Sequence, residues 1–350
     1  MPKPDRRTFL KTSTALAAGW TAGASTMSTA ADPSAESPQP QATFRSKLLE
    51  CLGGPWPEPG DLRAKIEQSE KKDGYRLDRV SSEVEPGDRV SAFLLVPDGV
   101  SGTSPAPAVA VWHQHNGQWH LGKSEPAGLA GAPMHHTGVA LAKLGYVVLC
   151  PDALCFEDRQ DPEGKLKGGA YERFEFLRSV VAGRSMAWKN ILDMRRSIDY
   201  LVSRAEVNDE ALGCYGHSMG STHAWLVGPW EPRLKCVVGN CCLPTYAAIQ
   251  RKKLLHCFPN FVPGLSQYGD TPDIAALIAP RALHLNFGEN DGGSPIEEVR
   301  QGIQTIAAAY QAAGAADRFT SFIEDGAGHV LSDAMWQRVQ DVFALRLASV

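Results

Sequence analysis

One ten-residue stretch joins an apolar run to a glycine-flanked serine: Ala211-Leu212-Gly213-Cys214-Tyr215-Gly216-His217-Ser218-Met219-Gly220. The apolar run predicts a buried strand, and the residues that follow are compatible with a helix. Glycine, any residue, serine, any residue, glycine at such a junction is typical of a nucleophile elbow, a tight turn with strained backbone at the serine. The sequence therefore predicts Ser218 as a nucleophile. The alternative is an ordinary strand-to-helix turn capped by serine.

Apolar segments on both sides of this stretch alternate between strand and helix patterns. Continuous apolar runs at 108–112 and 146–150 predict buried strands, and a further strand is predicted at 234–239. The period of 3.6 residues between Trp188 and Val202 predicts a helix that packs one face on the sheet. Further strands are predicted at 75–84, 89–96, 282–287 and 319–323, and further helices at 136–144, 294–314 and around 336–343. This alternation predicts an α/β fold with a mostly parallel, doubly wound sheet and helices on both faces.

Two segments are too long to be simple connections between these elements. Residues 153–185 are charged and aromatic, and residues 243–272 are rich in proline and glycine. Both predict cap insertions, the first of them beside the mouth of an active site. Ser294-Pro295-Ile296-Glu297 predicts a helix start with Ser294 as N-cap, proline at the first helical position and a capping-box glutamate.

The N-terminal residues differ in composition from the rest of the chain. Asp5-Arg6-Arg7-Thr8-Phe9-Leu10-Lys11 precedes a mildly apolar stretch that is rich in small residues. This pattern resembles a twin-arginine export signal and predicts a signal peptide at 1–31; the alternative is a basic tail. Residues 32–44 then predict a flexible leader, and residues 45–350 the folded domain. The signal segment is too short and too polar for a stable membrane span.

Composition limits the classes of partner. The chain carries a formal net charge of −4, which becomes about −7 without the predicted signal, and such an acidic protein is not expected to bind nucleic acid. Its eight cysteines form no Cys-x-x-Cys pair, so most are expected to be small buried side chains.

Two polar residues follow strands that come later in the chain. Asp291 lies after the strand at 282–287, and His329 comes directly after the last strand. In a parallel sheet, chemistry collects at the carboxyl ends of the strands. The order serine, aspartate, histidine matches the triad order of hydrolases built on such a sheet, so we predict Asp291 as the acid and His329 as the base for Ser218.

Competing residues remain for both roles. Glu289, two positions before Asp291, and Asp152, at an earlier strand end, are alternative acids. His217 adjoins the nucleophile and is hard to aim at it, and His223 lies one turn into the following helix, where packing or pocket lining is the simpler interpretation.

A hydrolytic serine needs two backbone donors for the oxyanion of its tetrahedral intermediate. The N–H of Met219, directly after the nucleophile, supplies one donor. The second is expected from the loop His113-Gln114-His115-Asn116-Gly117, after the strand at 108–112, and we predict the N–H of His115.

The same loop invites a metal interpretation, because His113, His115 and His120 are closely spaced. No carboxylate or cysteine lies at ligand spacing nearby, so no metal is predicted and the imidazoles are expected to line a polar pocket. Trp119, His217 and Phe156 are candidate substrate-pocket residues, with cap-core packing as the alternative for the aromatic side chains.

Taken together, these residues resemble the α/β-hydrolase superfamily, and within it the dienelactone hydrolase and acetyl-xylan (cephalosporin-C) esterase-like group. The resemblance spans roughly residues 75–350 and rests on the His113 loop, the Asp152 strand end, the elbow, Asp291 and His329. It implies an α/β-hydrolase fold, Ser218, Asp291 and His329 as the triad, and Met219 and His115 as oxyanion donors. A serine nucleophile instead of cysteine favours an esterase over a true dienelactone hydrolase.

The resulting hypothesis is an exported, periplasmic or secreted serine esterase without a cofactor, acting on small-molecule or oligosaccharide esters. The export machinery that reads the N-terminal signal is an expected protein partner. A peptidase or amidase on the same scaffold, or a binding module that keeps the fold without catalysis, are the alternatives. Reactivity of Ser218 with esters, amides and a fluorophosphonate separates the three.

Overall fold

A computed structural model describes residues 40–348, and the predicted signal peptide at 1–31 lies outside them. Its central sheet contains β1 (Lys65–Lys71), β2 (Tyr75–Glu85), β3 (Asp88–Pro97), β4 (Ala106–Trp112), β5 (Val147–Pro151), β6 (Val207–His217), β7 (Leu234–Asn240), β8 (Ala282–Gly288) and β9 (Phe319–Glu324). The strand order is β1-β2-β3-β5-β4-β6-β7-β8-β9. The first three strands and their junction with β5 are antiparallel, and every pair from β5 to β9 is parallel.

Helices cover both faces of this sheet. They are α1 (Pro40–Leu52), α2 (Thr137–Lys143), α3 (Gly169–Val181), α4 (Met186–Val202), α5 (Met219–Val227), α6 (Tyr246–Lys252), α7 (Thr271–Ala276), α8 (Ile296–Ala312) and α9 (Asp333–Arg346). Residues of α1, α4, α5, α7 and α8 share one hydrophobic cluster, whereas those of α2 and α9 belong to the cluster on the opposite face. The predicted doubly wound α/β fold is thereby confirmed. None of the helices in residues 40–348 combines the length and apolar character of a membrane span.

The central strands show why their sequences are continuously apolar. In β4, Ala108 and Ala110 pack in the cluster on one face, and Val109 and Val111 pack in the cluster on the other. Successive side chains of a strand point to opposite faces, so a strand covered by helices on both sides needs apolar residues throughout. Six cysteines are buried, as expected, several of them within these strands.

Helix α1 corrects the predicted leader at its C-terminal end, because it begins at Pro40, inside the segment 32–44. Leu48 and Leu52 are completely buried, and the Arg45 guanidinium donates to the carbonyl oxygens of Pro229 and Leu277 at 2.6 and 3.1 Å. These tertiary contacts order residues whose proline- and glutamine-rich composition alone predicts flexibility. Residues 32–39 of the leader lie outside the described part of the chain.

Two local features differ from the sequence prediction. Strand β1 was not predicted, because all seven of its side chains are exposed and it lacks an apolar pattern. At the start of α8 the N-cap is Pro295, without a side-chain hydrogen bond, instead of Ser294. The Ser294 hydroxyl accepts from the N–H of Leu243 at 3.1 Å, so the serine ties two loops together instead of capping the helix.

Both predicted insertions leave the sheet and contain helices of their own. The segment 153–185 carries α3, and the segment 243–272 carries α6 and two short 3₁₀ helices. The two insertions contact each other where the ring of Phe176, in the first, stacks on the ring of Phe258, in the second, with centroids 4.6 Å apart. Phe156, Met186 and Met219 form a small buried cluster beneath them, which joins the insertions to the start of α5.

Candidate active site

Ser218 lies between β6 and α5 with a positive φ, at φ 57° and ψ −118°. The two glycines of the elbow allow this turn because neighbouring backbone atoms lie where a Cβ atom would otherwise be. A Cβ atom on Gly216 would lie 2.0 Å from the carbonyl oxygen of Gly220, and one on Gly220 would lie 2.0 Å from the carbonyl oxygen of Trp112. A non-glycine residue at positive φ costs free energy and persists where the surrounding structure enforces it. The strained turn predicted from the sequence is present.

Asp291 and His329 lie in the loops after β8 and β9 and contact each other. The Nδ1 atom of His329 donates to Oδ2 of Asp291 at 2.8 Å, and the other carboxylate oxygen accepts from the N–H of Gly293 at 2.9 Å. The Asp291 side chain is 2% exposed and that of His329 is 41% exposed. Within residues 40–348 the Nε2 atom of His329 has no hydrogen-bond partner, so it is open to a group outside the loop.

Asn240, at the end of β7, connects this pair to the elbow. Its carbonyl oxygen accepts from the N–H of Ser218 at 2.8 Å, and its side-chain Nδ2 donates to the carbonyl oxygen of Val330 at 3.1 Å. The residue is completely buried. The loops that carry Ser218 and His329 therefore meet at one edge of the sheet. Asn240 could not be singled out from the sequence, since a single asparagine at a strand end carries no distinctive pattern.

The alternative acids have other partners. The carboxylate of Glu289 accepts from the N–H of Gly326 at 3.0 Å. Asp152 is 2% exposed and accepts from the main-chain N–H and the ammonium group of Lys123 at 2.7 and 2.8 Å. Asp291 is the carboxylate that orients His329.

The other histidines near the elbow are buried and neutral. Burial lowers the pKa of His223 to about 3, and the Nε2 atom of this residue accepts from the Asn190 amide at 2.9 Å. Burial likewise holds the pKa of His217 well below its usual 6.5, and its Nδ1 atom accepts from Asn240 at 2.8 Å. The His217 ring lies beside that of His329, with centroids 5.1 Å apart. His217 therefore borders the candidate base.

The loop after β4 carries the second expected oxyanion donor. The N–H groups of Met219 and His115 donate no hydrogen bond within residues 40–348, so both are open to a developing oxyanion; the N–H of Gln114 is also unused. The absence of a Cβ on Gly220 allows the end of β4 and the start of α5 to approach closely. The elbow and this loop are therefore neighbours.

His113 has structural partners at both ring nitrogens. Its Nε2 atom accepts from the N–H of Ala153 at 3.0 Å, and its Nδ1 atom donates to the carbonyl oxygen of Gln114 at 2.7 Å. Burial lowers the pKa of His113 to about 4. An imidazole with both nitrogens engaged is not free to ligate a metal ion.

A separate acidic cluster encloses a cation of the chain itself. Asp152, Glu157 and Asp158 surround the buried ammonium group of Lys123, at 2.8, 2.6 and 2.9 Å. The cluster joins the end of β5 to the first insertion, and the lysine supplies the positive charge that these carboxylates need.

The predicted pocket residues differ in exposure. Phe156 is 1% exposed and packs against the rings of His113 and His115, with centroids 5.0 and 5.1 Å away. This burial favours cap-core packing, the alternative interpretation. Trp119 is half-buried and donates from Nε1 to the carboxylate of Glu172 on α3 at 2.7 Å. Glu172 was not singled out from the sequence, where it is one charge among several in the insertion.

The comparisons with known proteins point to hydrolases. Residues 92–253 match the model of the "Dienelactone hydrolase family". The chain is 29% identical over 291 residues to "Putative hydrolase YtaP" of Bacillus subtilis (strain 168), which covers 81% of this chain and 93% of the relative.

Solved structures share the overall fold at low sequence identity. A glucuronoyl esterase from Solibacter usitatus superposes with a TM-score of 0.65 at 15% identity, over 87% of this chain and 92% of that one. Acetyl Xylan Esterase 1 from Thermoanaerobacterium sp. JW/SL YS485 superposes with a TM-score of 0.59 at 15% identity, over 87% and 94%. The chain therefore has the α/β-hydrolase fold, and its residues 92–253 are similar to the dienelactone hydrolase family.

Proposed function

We propose that this protein is a serine esterase in which Ser218, His329 and Asp291 form the triad. The observation that carries the proposal is the 2.8 Å hydrogen bond between His329 and Asp291, at the sheet edge where Ser218 occupies a strained elbow. The bond fixes the imidazole with its proton on Nδ1 and leaves Nε2 as the acceptor that a general base requires. The match to a hydrolase family supports the same reaction class.

The reaction follows from these positions. Ser218 Oγ attacks the ester carbonyl carbon while Nε2 of His329 takes its proton, and Asp291 stabilises the imidazolium. The N–H groups of Met219 and His115 hold the oxyanion. Collapse of the tetrahedral intermediate breaks the bond to the alkoxide, which leaves with the proton from His329. Water then attacks the acyl-enzyme by the same route and releases the acid.

For the substrate we propose short acyl esters, including acetylated carbohydrates. The names of the similar solved structures, acetyl xylan esterase and glucuronoyl esterase, support an ester of a sugar. The twin-arginine pattern at Arg6 and Arg7 supports export to the periplasm or the exterior, where such polymers are met.

The test is hydrolysis of p-nitrophenyl acetate by the wild type and by Ser218→Ala. Loss of a triad nucleophile costs on the order of 10⁴-fold to 10⁶-fold in kcat, so the variant is expected to fall to background. Ser221→Ala is the matched control, because this serine is buried in α5, the helix directly after Ser218, and its hydroxyl donates to the carbonyl oxygen of Cys242 at 3.3 Å. Activity retained in Ser218→Ala would refute the assignment.

Two further measurements separate the alternative functions. Faster turnover of a peptide amide than of the corresponding ester would favour a peptidase or amidase. Failure of folded wild-type protein to react with a fluorophosphonate probe would favour a non-catalytic binding module.

A further inference from the structure

Glu172, on the insertion helix α3, makes its two hydrogen bonds to the loop that carries His115. Its Oε2 atom accepts from Nε2 of His115 at 2.9 Å and from Nε1 of Trp119 at 2.7 Å. The residue is 2% exposed. A buried carboxylate that accepts two hydrogen bonds from one segment holds that segment strongly, since bonds to a charged acceptor are the stronger kind.

The His115 ring is held at both of its nitrogen atoms. The N–H of Gly117 donates to Nδ1 of His115 at 2.9 Å, so the ring proton lies on Nε2 and is donated to Glu172. The Trp119 and Phe156 rings lie edge-on against the imidazole, at centroid distances of 5.2 and 5.1 Å. With its ring held in this way, the backbone of His115 has little freedom to rotate.

The insertion is packed closely on this loop. A Cβ atom on Gly168 or Gly169, at the start of α3, would lie 3.0 or 2.9 Å from the Trp119 ring. The glycines therefore let the start of the helix lie directly on the indole, which brings Glu172 one turn later within reach of His115. These contacts couple the position of α3 to the conformation of the loop.

We propose that Glu172 is a positioning residue for the oxyanion hole, so that the insertion helix α3 sets the direction of the His115 N–H. The inference rests on the proposed function, because an oxyanion forms only if Ser218 attacks a carbonyl. A donor that is already aimed when charge develops needs no reorganisation during the reaction, which is the source of its catalytic effect. Glu172 acts through His115 and has no contact with the reacting atoms.

The second carboxylate oxygen of Glu172, Oε1, is buried without a partner in residues 40–348. The Glu172 side chain therefore holds the loop through the hydrogen bonds that its Oε2 atom accepts. Glutamine keeps one acceptor oxygen of the same reach, and alanine keeps none. Glu172→Gln is expected to preserve most of the positioning and Glu172→Ala to lose it.

The experiment compares kcat and KM for p-nitrophenyl acetate in the wild type, Glu172→Ala and Glu172→Gln. Loss of one oxyanion donor costs about 100-fold to 1000-fold in kcat, and misalignment costs less, so Glu172→Ala is expected to lower kcat by about 10-fold to 100-fold. KM should change by less than about 3-fold, because the interaction is made in the transition state. Glu172→Gln should recover kcat to within about 5-fold of the wild type.

Glu175→Ala is the matched control. This glutamate lies on the same helix, is 4% exposed, and accepts from Nε of Arg178 at 3.2 and 3.1 Å without touching the His115 loop. It therefore reports any general damage to α3. Equal losses of kcat in the alanine variants of Glu172 and Glu175 would overturn the proposal and indicate a merely structural role.

Inhibition by phenylboronic acid gives a second readout, since this probe forms a tetrahedral adduct with a nucleophilic serine. Its inhibition constant should rise with Glu172→Ala in proportion to the loss of kcat, while folding, followed by circular dichroism, stays intact. Unchanged inhibition together with lower kcat would contradict the proposal. Failure of the proposed function is distinguished by Ser218→Ala: if that variant keeps activity, the triad assignment fails, whatever Glu172 does.

Discussion

Asp291 and Glu289 lie close together in the sequence, and their environments show why Asp291 is the carboxylate that contacts His329. Both its oxygens are engaged, one by His329 and one by the N–H of Gly293, so the side chain has a single orientation. Glu289, two residues earlier, is 39% exposed and accepts from the N–H of Gly326. Because Asp291 is buried and held by a second hydrogen bond, it is the carboxylate that orients His329. The carboxylate of Glu289 instead binds the main-chain N–H of Gly326.

This difference predicts the effect of two conservative replacements. Asp291→Asn should lower kcat for p-nitrophenyl acetate by about 10³-fold to 10⁴-fold, because an amide does not favour the required tautomer or stabilise the imidazolium. Glu289→Gln, the matched control, should change kcat by less than about 3-fold. Steady-state kinetics of both variants provides the measurement. A larger loss in Glu289→Gln than in Asp291→Asn would reverse the assignment of the acid.

At the scale of elements, α1 fastens the N-terminal part of the described chain to the first insertion. The carbonyl oxygen of Leu52, at its end, accepts from the N–H and the hydroxyl of Ser185 at 2.8 and 3.2 Å. Ser185 in turn caps α4 by accepting from the N–H of Trp188 at 3.1 Å. The helix therefore supports the junction at which the insertion returns to the sheet.

Removal of one buried side chain of α1 tests this role. Leu48→Ala should lower the free energy of unfolding by about 2–5 kcal/mol, through lost burial and the cavity that remains. Glu50→Ala, on the exposed side of the helix, is the control and should stay within about 0.5 kcal/mol of the wild type. Urea denaturation gives both values. Equal stability of the two variants would show that α1 is detached from the core in solution.

For the whole molecule, burial of neutral histidines makes stability depend on pH. Burial lowers the pKa of His113 to about 4, that of His223 to about 3, and that of His217 well below 6.5. In the unfolded chain these imidazoles take up protons as the pH falls through 6.5, whereas in the folded protein His113 stays neutral until about pH 4 and His223 until about pH 3. Their contribution to stability is therefore complete above pH 6.5 and is lost as the pH falls from 6.5 toward 4.

We expect the free energy of unfolding to fall between pH 6.5 and pH 5, with a slope of up to about 1.4 kcal/mol per pH unit for each such imidazole. Urea denaturation at several pH values measures the slope. His223→Gln should reduce this slope by the contribution of one imidazole. Replacement of the exposed His120 by glutamine should leave the slope unchanged. A slope that is the same in the wild type and in His223→Gln would contradict this origin.

The secondary structure near the site was largely predictable because its determinants are local. The run at 234–239 predicted β7 (Leu234–Asn240), and the periodicity from Trp188 to Val202 predicted α4 (Met186–Val202). The elbow was predictable for the same reason, since its glycines and serine are neighbours in the chain. Strand β1 was missed because main-chain pairing with β2 holds a strand whose side chains are all exposed.

The sequence by itself determined most of the element types near the site, the strained turn at Ser218 and the choice of a candidate acid and base, because periodicity and turn chemistry depend on residues close in the chain. Tertiary structure alone decided that α1 extends into the expected leader and that the Ser294 hydroxyl accepts a hydrogen bond from another loop. It also decided that Glu172 contacts His115, 57 residues away in the chain. Such pairings depend on the packing of distant segments against one sheet, so no local pattern encodes them.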